Sequence, residues 1–199
     1  MKTSRLMNRR SAFTLIELLV VITIIGILAS MAFPVVNGVM AKARKVRALA
    51  VIKDLQVAVK AYQTEYNRYP SMSAAADETV ITDTGDLIAT LMAGESQQAA
   101  GKLNPRGIKF IELPVAKNER GGVVGTSPDD YKLVDEWGKP YVVIMDSNGD
   151  EKIENPDMGN GDSKISTGAP PQLPFGVAVF SYGPDAKEFT QDDVTSWRG

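Results

Sequence analysis

Residues 11–41 open Ser11-Ala12-Phe13-Thr14-Leu15-Ile16-Glu17-Leu18-Leu19-Val20-Val21-Ile22 and stay apolar as far as Met40 and Ala41, with Glu17 as the one charge in the run. At 1.5 Å per residue a helix of this length measures about 46 Å, against roughly 30 Å for the hydrocarbon core of a bilayer. The stretch is long enough to cross a membrane. Upstream of it, Lys2, Arg5, Arg9 and Arg10 stand without an acid. A basic start before an apolar run is also the layout of a secretory signal, but such a core has only about 7–15 residues before its small-residue cut. Here the helical pattern continues straight through Ala29-Ser30-Met31-Ala32. An uncleaved single-span anchor is the plainer alternative. Flanking charge does not orient the segment, because Lys42, Arg44, Lys45 and Arg47 on the far side balance the leader. An acid at the centre of a membrane helix is unfavourable by roughly 2.5–3.5 kcal/mol, less near an end, which makes Glu17 a functional candidate.

Composition narrows the rest. The 199 residues carry a net charge of -2, no reason to expect nucleic acid as a partner. Outside the basic leader, 18 basic residues face 24 acidic ones, so the body is mildly acidic. There is no cysteine, hence neither a disulfide framework nor a thiolate site. There is no histidine, which removes the commonest general base and transition-metal ligand. Ser-His-Asp and Cys-His enzymes are excluded. A carboxylate-based, membrane-anchored periplasmic enzyme is not.

Beyond the apolar run the helical pattern turns amphipathic. Val46, Leu49, Ile52, Leu55, Val59, Tyr62 and Tyr66 recur at spacings of three or four, which predicts one buried stripe. Pro34 is expected to kink or loosen the helix, and Pro70 to end it near Arg68. Residues 71–84 read as a loop, 86–100 as a short helix with Asp86 near its N-cap, and 108–113 as a short strand. Tyr141–Met145 and Gly176–Tyr182 are β-rich. The expected fold class is α+β: a long N-terminal helix, half membrane span and half amphipathic, packed on a small antiparallel sheet.

Two acidic loops follow. In the first, Asp146, Asn148, Asp150 and Asp157 fall at positions 1, 3, 5 and 12 of a calcium loop, with Glu151 where glycine belongs. Asn148-Gly149 is equally a hairpin signal. The second loop holds Asp185, Asp192 and Asp193, three acids within nine residues. They repel one another unless solvent or a hard cation separates them.

The stretch Arg9-Arg10-Ser11-Ala12-Phe13-Thr14-Leu15-Ile16-Glu17 resembles the precursor signal of type IV pilins and pseudopilins. The resemblance implies a cut between Ala12 and Phe13 by a prepilin peptidase on the cytoplasmic side, N-methylation of Phe13, and an assembly role for Glu17 as the fifth mature residue. Ala12 stands where the family usually has glycine. The domains so implied are a leader, 1–12, a membrane and filament-core helix, 13–41, and a periplasmic head, 42–199. Val134-Asp135-Glu136-Trp137-Gly138-Lys139-Pro140-Tyr141, Ser181-Tyr182-Gly183-Pro184-Asp185 and Gln191-Asp192-Asp193-Val194-Thr195-Ser196-Trp197 together resemble the C-terminal half of the major pseudopilin of type II secretion systems. That resemblance implies one calcium ion held by Asp185, Asp192 and Asp193, with the carbonyls of Ser181 and Val194 as further ligands. It implies a structural, non-enzymatic subunit in the inner membrane, N-terminus cytoplasmic, that assembles with its own copies, other pseudopilins and an inner-membrane platform into a periplasmic fibre. A pilus pilin is the alternative. The likeness covers about 13–70 and 133–197.

Overall fold

The computed structural model describes residues 13–70, 78–93, 103–158 and 160–198, the side chains of 31–37 excepted. The chain divides into two compact units, Met1–Ala43 and Arg44–Gly199. Helix α1, Leu15–Tyr66, belongs to both, and its backbone stays helical through Pro34.

In the first unit α1 starts on a capping box. The Glu17 carboxylate accepts from the Thr14 amide at 2.8 Å and from the Thr14 hydroxyl at 2.7 Å, while that hydroxyl accepts from the Glu17 amide at 3.3 Å. Reciprocal bonds of this kind satisfy amides that the first turn leaves without a partner. Beyond the cap, Phe13 and the large apolar side chains from Leu15 to Leu28 all remain exposed. Among the described residues no helix is long and apolar enough to cross a membrane. The apolar run continues in sequence through 31–37, whose side chains lie outside that description.

In the second unit, Ala48, Ile52, Leu55, Val59 and Tyr62 form the buried face of α1. Positions three or four apart lie above one another on a helix, so these five make a continuous stripe. The expected stripe began earlier, but Val46 is 66% exposed and Leu49 38%. Both lie off the face that Ala48 and Ile52 bury, about a quarter turn or more around the helix. Tyr62 donates to the Leu103 carbonyl at 2.6 Å and Tyr66 to Asn104 Oδ1 at 2.6 Å, and Phe110 packs edge-on against both rings. The helix stops at Tyr66, two residues before the expected end, where Asn67 takes φ +52° as a left-handed C-terminal residue.

The sheet has four antiparallel strands in the order β1 (Glu78–Ile81), β4 (Val142–Asp146), β7 (Val177–Ser181), β8 (Val194–Thr195). The two expected strands are its centre, with Val143 opposite Val179 and Ile144 opposite Ala178. Alternation sends Val143, Met145, Val177 and Val179 into the core shared with α1. It sends Val142, Ile144, Ala178 and Phe180 into a second cluster on the other face, with Ile153 and Leu173. Both faces are covered, so every residue of β4 and β7 is buried. The amide of Gln56 on α1 donates to the Val177 carbonyl at 2.8 Å and fixes the helix along β7.

Several local expectations fail. Strand β1 lies inside the stretch read as a loop: Thr79, Val80 and Ile81 are too few to signal a strand and pair only because β4 is beside them. Helix α2 is Gly85–Leu91, preceded by Thr84 instead of Asp86, and ends where the amides of Phe110 and Ile111 take the Leu91 carbonyl. The expected helical residues 94–100 lie outside the described residues. Residues 108–113 form no strand. Smaller pieces complete the head: a hairpin of β2 (Gly122–Val124) and β3 (Lys132–Val134), a ladder of β5 (Ile153–Glu154) with β6 (Gln172–Leu173), and one turn of helix α3 (Ser163–Ser166). The hairpin reading of Asn148-Gly149 does not hold, since β4 and β5 on either side pair with different partners.

Candidate functional site

The C-terminal loop leaves β7 at Ser181 and returns as β8 at Val194, and those two residues face each other across the ladder. Its base is anchored on Asp135, which is completely buried. One oxygen of Asp135 accepts from the amides of Trp137 and Lys139 at 2.9 and 2.8 Å, which holds the Trp-Gly turn closed. The other accepts from the Ser181 hydroxyl at 2.6 Å, and that hydroxyl accepts from the Gly183 amide at 3.2 Å. Gly183 sits at φ +66°, and a Cβ there would stand 2.5 Å from the Asp192 carbonyl oxygen. The two legs of the loop approach so closely only because residue 183 has no side chain.

This closure brings Asp185, Asp192 and Asp193 together: one carboxylate oxygen from each lies within 4.8 Å of the others, the one such group among the described residues. Thr190, absent from the expected ligands, sits at their centre. Its hydroxyl lies 2.6 Å from Asp192 Oδ1, 3.1 Å from Asp193 Oδ1 and 3.4 Å from Asp185 Oδ1. A hydroxyl has one proton, so it satisfies one of these three contacts as a donor. The other two set oxygen against oxygen, the spacing of ligands around a cation. Asp192 also accepts from the Asp185 amide at 3.1 Å, and Asp193 from the Thr190 amide at 3.0 Å.

The electrostatics differ along the triad. Burial pushes the Asp193 carboxyl above its ordinary range, against hydrogen bonds from Thr190 and the pull of Arg198. For Asp192 burial again acts upward, but the Thr190 hydroxyl, nearby amides and the Lys45 ammonium outweigh it and hold the carboxyl low. The donor set is all hard oxygen, with neither sulfur nor imidazole, and suits calcium over softer metals.

The first acidic loop is used differently. Asp146 accepts from the amides of Asn148, Gly149 and Glu151, Asn148 from that of Asp150, and Asp150 from that of Lys152. Glu151 stands at φ +58°, the left-handed position that glycine would take more easily. Asp157 does not join them. It accepts from Trp197 Nε1 at 2.7 Å and from the Arg198 guanidinium through both oxygens. At the other end of the chain Glu17 closes the helix cap and Phe13 is 76% exposed, while Ala12 lies outside the described residues.

The prokaryotic N-terminal methylation motif matches residues 7–33. Type II secretion system core protein G of Pectobacterium carotovorum is 43% identical over 189 residues, covering 95% of this chain and 85% of its own. Core protein G of Aeromonas hydrophila is 28% identical over 192 residues, 96% of this chain and 94% of its own. The type IV major pilin of Myxococcus xanthus is 41% identical, but over 69 residues and 35% of this chain. No solved structure matches. With its methylation motif, its helix-on-sheet fold and a relative at this identity along nearly its whole length, the chain belongs to the type II secretion system core protein G family, the major pseudopilins.

Proposed function

We propose that this chain is a structural subunit, stored in the inner membrane with its head in the periplasm, cut between Ala12 and Phe13, N-methylated at Phe13, and polymerised into a periplasmic fibre that drives type II protein secretion. The observation that carries the reading is the exposed apolar surface from Phe13 to Leu28 on a capped helix. Contiguous apolar surface on this scale needs lipid or protein to cover it. A membrane covers it before assembly, and the same helix of neighbouring subunits afterwards. In that filament core Glu17 neutralises the terminal amine of a neighbour, which offsets the desolvation of both charges. The peptidase, other pseudopilins and the assembly platform are the partners this role requires. A pilus subunit is the narrower alternative, since the pilin relatives match little more than a third of the chain.

The C-terminal triad, in the same reading, holds one calcium ion through Asp185, Asp192 and Asp193, with the Ser181 and Val194 carbonyls at the mouth of the loop as further oxygens. The Thr190 hydroxyl, in contact with all three carboxylates, supports the same reading. Calcium takes six to eight oxygens, and an ion among three carboxylates removes the repulsion that closure of the loop creates.

N-terminal analysis of the chain purified from membranes that contain a prepilin peptidase tests the reading. A methylated Phe13 is the expected first residue. Recovery of intact Met1 from those membranes would overturn it.

A further inference from the structure

The long connection from β4 to β7 lies against the C-terminal loop through side chains of its own. Asn160 donates to the Phe189 carbonyl at 2.7 Å, Gln191 to Asp162 at 2.6 Å and Trp197 to Asp157 at 2.7 Å. The fourth link is Arg198. Its Nε donates to Asp157 Oδ2 at 2.9 Å and its Nη2 to Asp157 Oδ1, the paired geometry that suits a guanidinium and a carboxylate. Its Nη1 donates to the Thr190 carbonyl at 2.7 Å and stands 4.0 Å from Asp193 Oδ2. Both carboxylates are out of solvent: the Asp193 side chain is 0% exposed and that of Asp157 4%. One guanidinium therefore lies between two buried acids, one inside the triad and one outside it. The acid outside holds two of its nitrogens.

We propose that Asp157 is a positioning residue for the triad: by holding Arg198 out of direct hydrogen bonding with Asp193, it keeps the Asp193 oxygens open to a cation. The inference rests on the calcium reading above. Affinity for calcium rises with the charge of its ligands, and arginine cannot give up its own charge at any working pH. Without the Asp157 carboxylate, Asp193 is the nearest acid to Arg198, and closing 4.0 Å to a direct hydrogen bond needs only a turn of the last side-chain bonds. The guanidinium then becomes an internal cation that competes with the metal. This also accounts for Asp157 in a stretch whose acid spacing suggested a second calcium loop: its carboxylate is engaged by Arg198.

Calorimetric titration of the detergent-solubilised full chain with calcium chloride decides the matter. Asp157→Asn should weaken binding on the order of ten- to hundredfold, the size of a charge-assisted hydrogen bond lost to the competitor. Arg198→Gln alone should bind as tightly as wild type or more so. The double variant should return to wild-type affinity, which separates loss of positioning from loss of folding. The proposal is overturned if Asp157→Asn binds like wild type, if the double variant stays as weak as Asp157→Asn, or if Arg198→Gln is itself weakened. Absence of any calcium binding by the wild type refutes the calcium reading and this inference with it. Binding by the wild type that Asp157→Asn leaves unaltered refutes the inference alone.

Discussion

The hydroxyl of Ser181 donates to the buried carboxylate of Asp135 at 2.6 Å, and so ties the start of the C-terminal loop to the Trp137-Gly138 turn. Two motifs 46 residues apart are thereby one structure. Ser181→Ala removes one donor from a buried charge and should lower stability by about 1–3 kcal/mol. Asp135→Ala strands two amides and the serine together and should lower it further, by roughly 3 kcal/mol or more. Urea unfolding of the full chain in detergent, followed by tryptophan fluorescence, measures both, and the order Asp135→Ala below Ser181→Ala is the expected outcome.

The Tyr141 phenol is buried beside Asp135 and Glu136, and burial first, then those two carboxylates, hold its pKa far above the ordinary value. The unfolded chain loses this proton near pH 10, whereas the folded chain keeps it. Stability from this group is thus intact below pH 10 and falls as pH rises beyond it, because the folded state binds the extra proton. Tyr141→Phe should flatten that alkaline decline, and melting temperatures between pH 8 and 11.5 read it directly.

Glu17 caps the helix, and the assembly role proposed for it can be separated from the cap by substitution. Glutamine at this place keeps the capping box with Thr14 but removes the charge. Glu17→Gln should give a processed, membrane-inserted chain that assembles few fibres. Thr14→Val, which loses the cap and keeps the charge, should lower the stability of the first turn by about 1 kcal/mol and leave assembly largely intact. Sheared fibre yield relative to total processed subunit distinguishes the two.

The elements legible in the sequence were those with long periodic signals. The helix reads from Leu15 onward because a dominant run of apolar residues and then a stripe of three-and-four spacing carry it, and β4 and β7 read because burial on both faces makes them continuous apolar runs. Strand β1 did not read, because four residues with one exposed valine have no pattern apart from their partner. In the site, the acids Asp185, Asp192 and Asp193 were visible as a cluster, but Thr190 at their centre was not, since a threonine in a turn is ordinary. Spacing alone puts Asp157 in the loop before it. Its partner lies 41 residues on, a distance no local pattern spans.

Calcium should raise the melting temperature of the full chain in detergent over that in chelator. At a hundredfold excess over the dissociation constant, mass action gives about 2.7 kcal/mol. Asp185→Ala should abolish most of the difference and Asp146→Ala should leave it. Gly183→Val, which sets a branched side chain against the Asp192 carbonyl at a left-handed φ, should lower stability in chelator and reduce the calcium response as well.

In the proposed function the capped apolar helix is a polymerisation element. Co-expression of the full chain with a prepilin peptidase and a type II secretion assembly platform, with electron microscopy of sheared material and sequencing of its subunits, tests it most directly. Fibres built of chains that begin at Phe13 are the expected result. Chains processed at Phe13 that remain monomeric beside a working platform would contradict it.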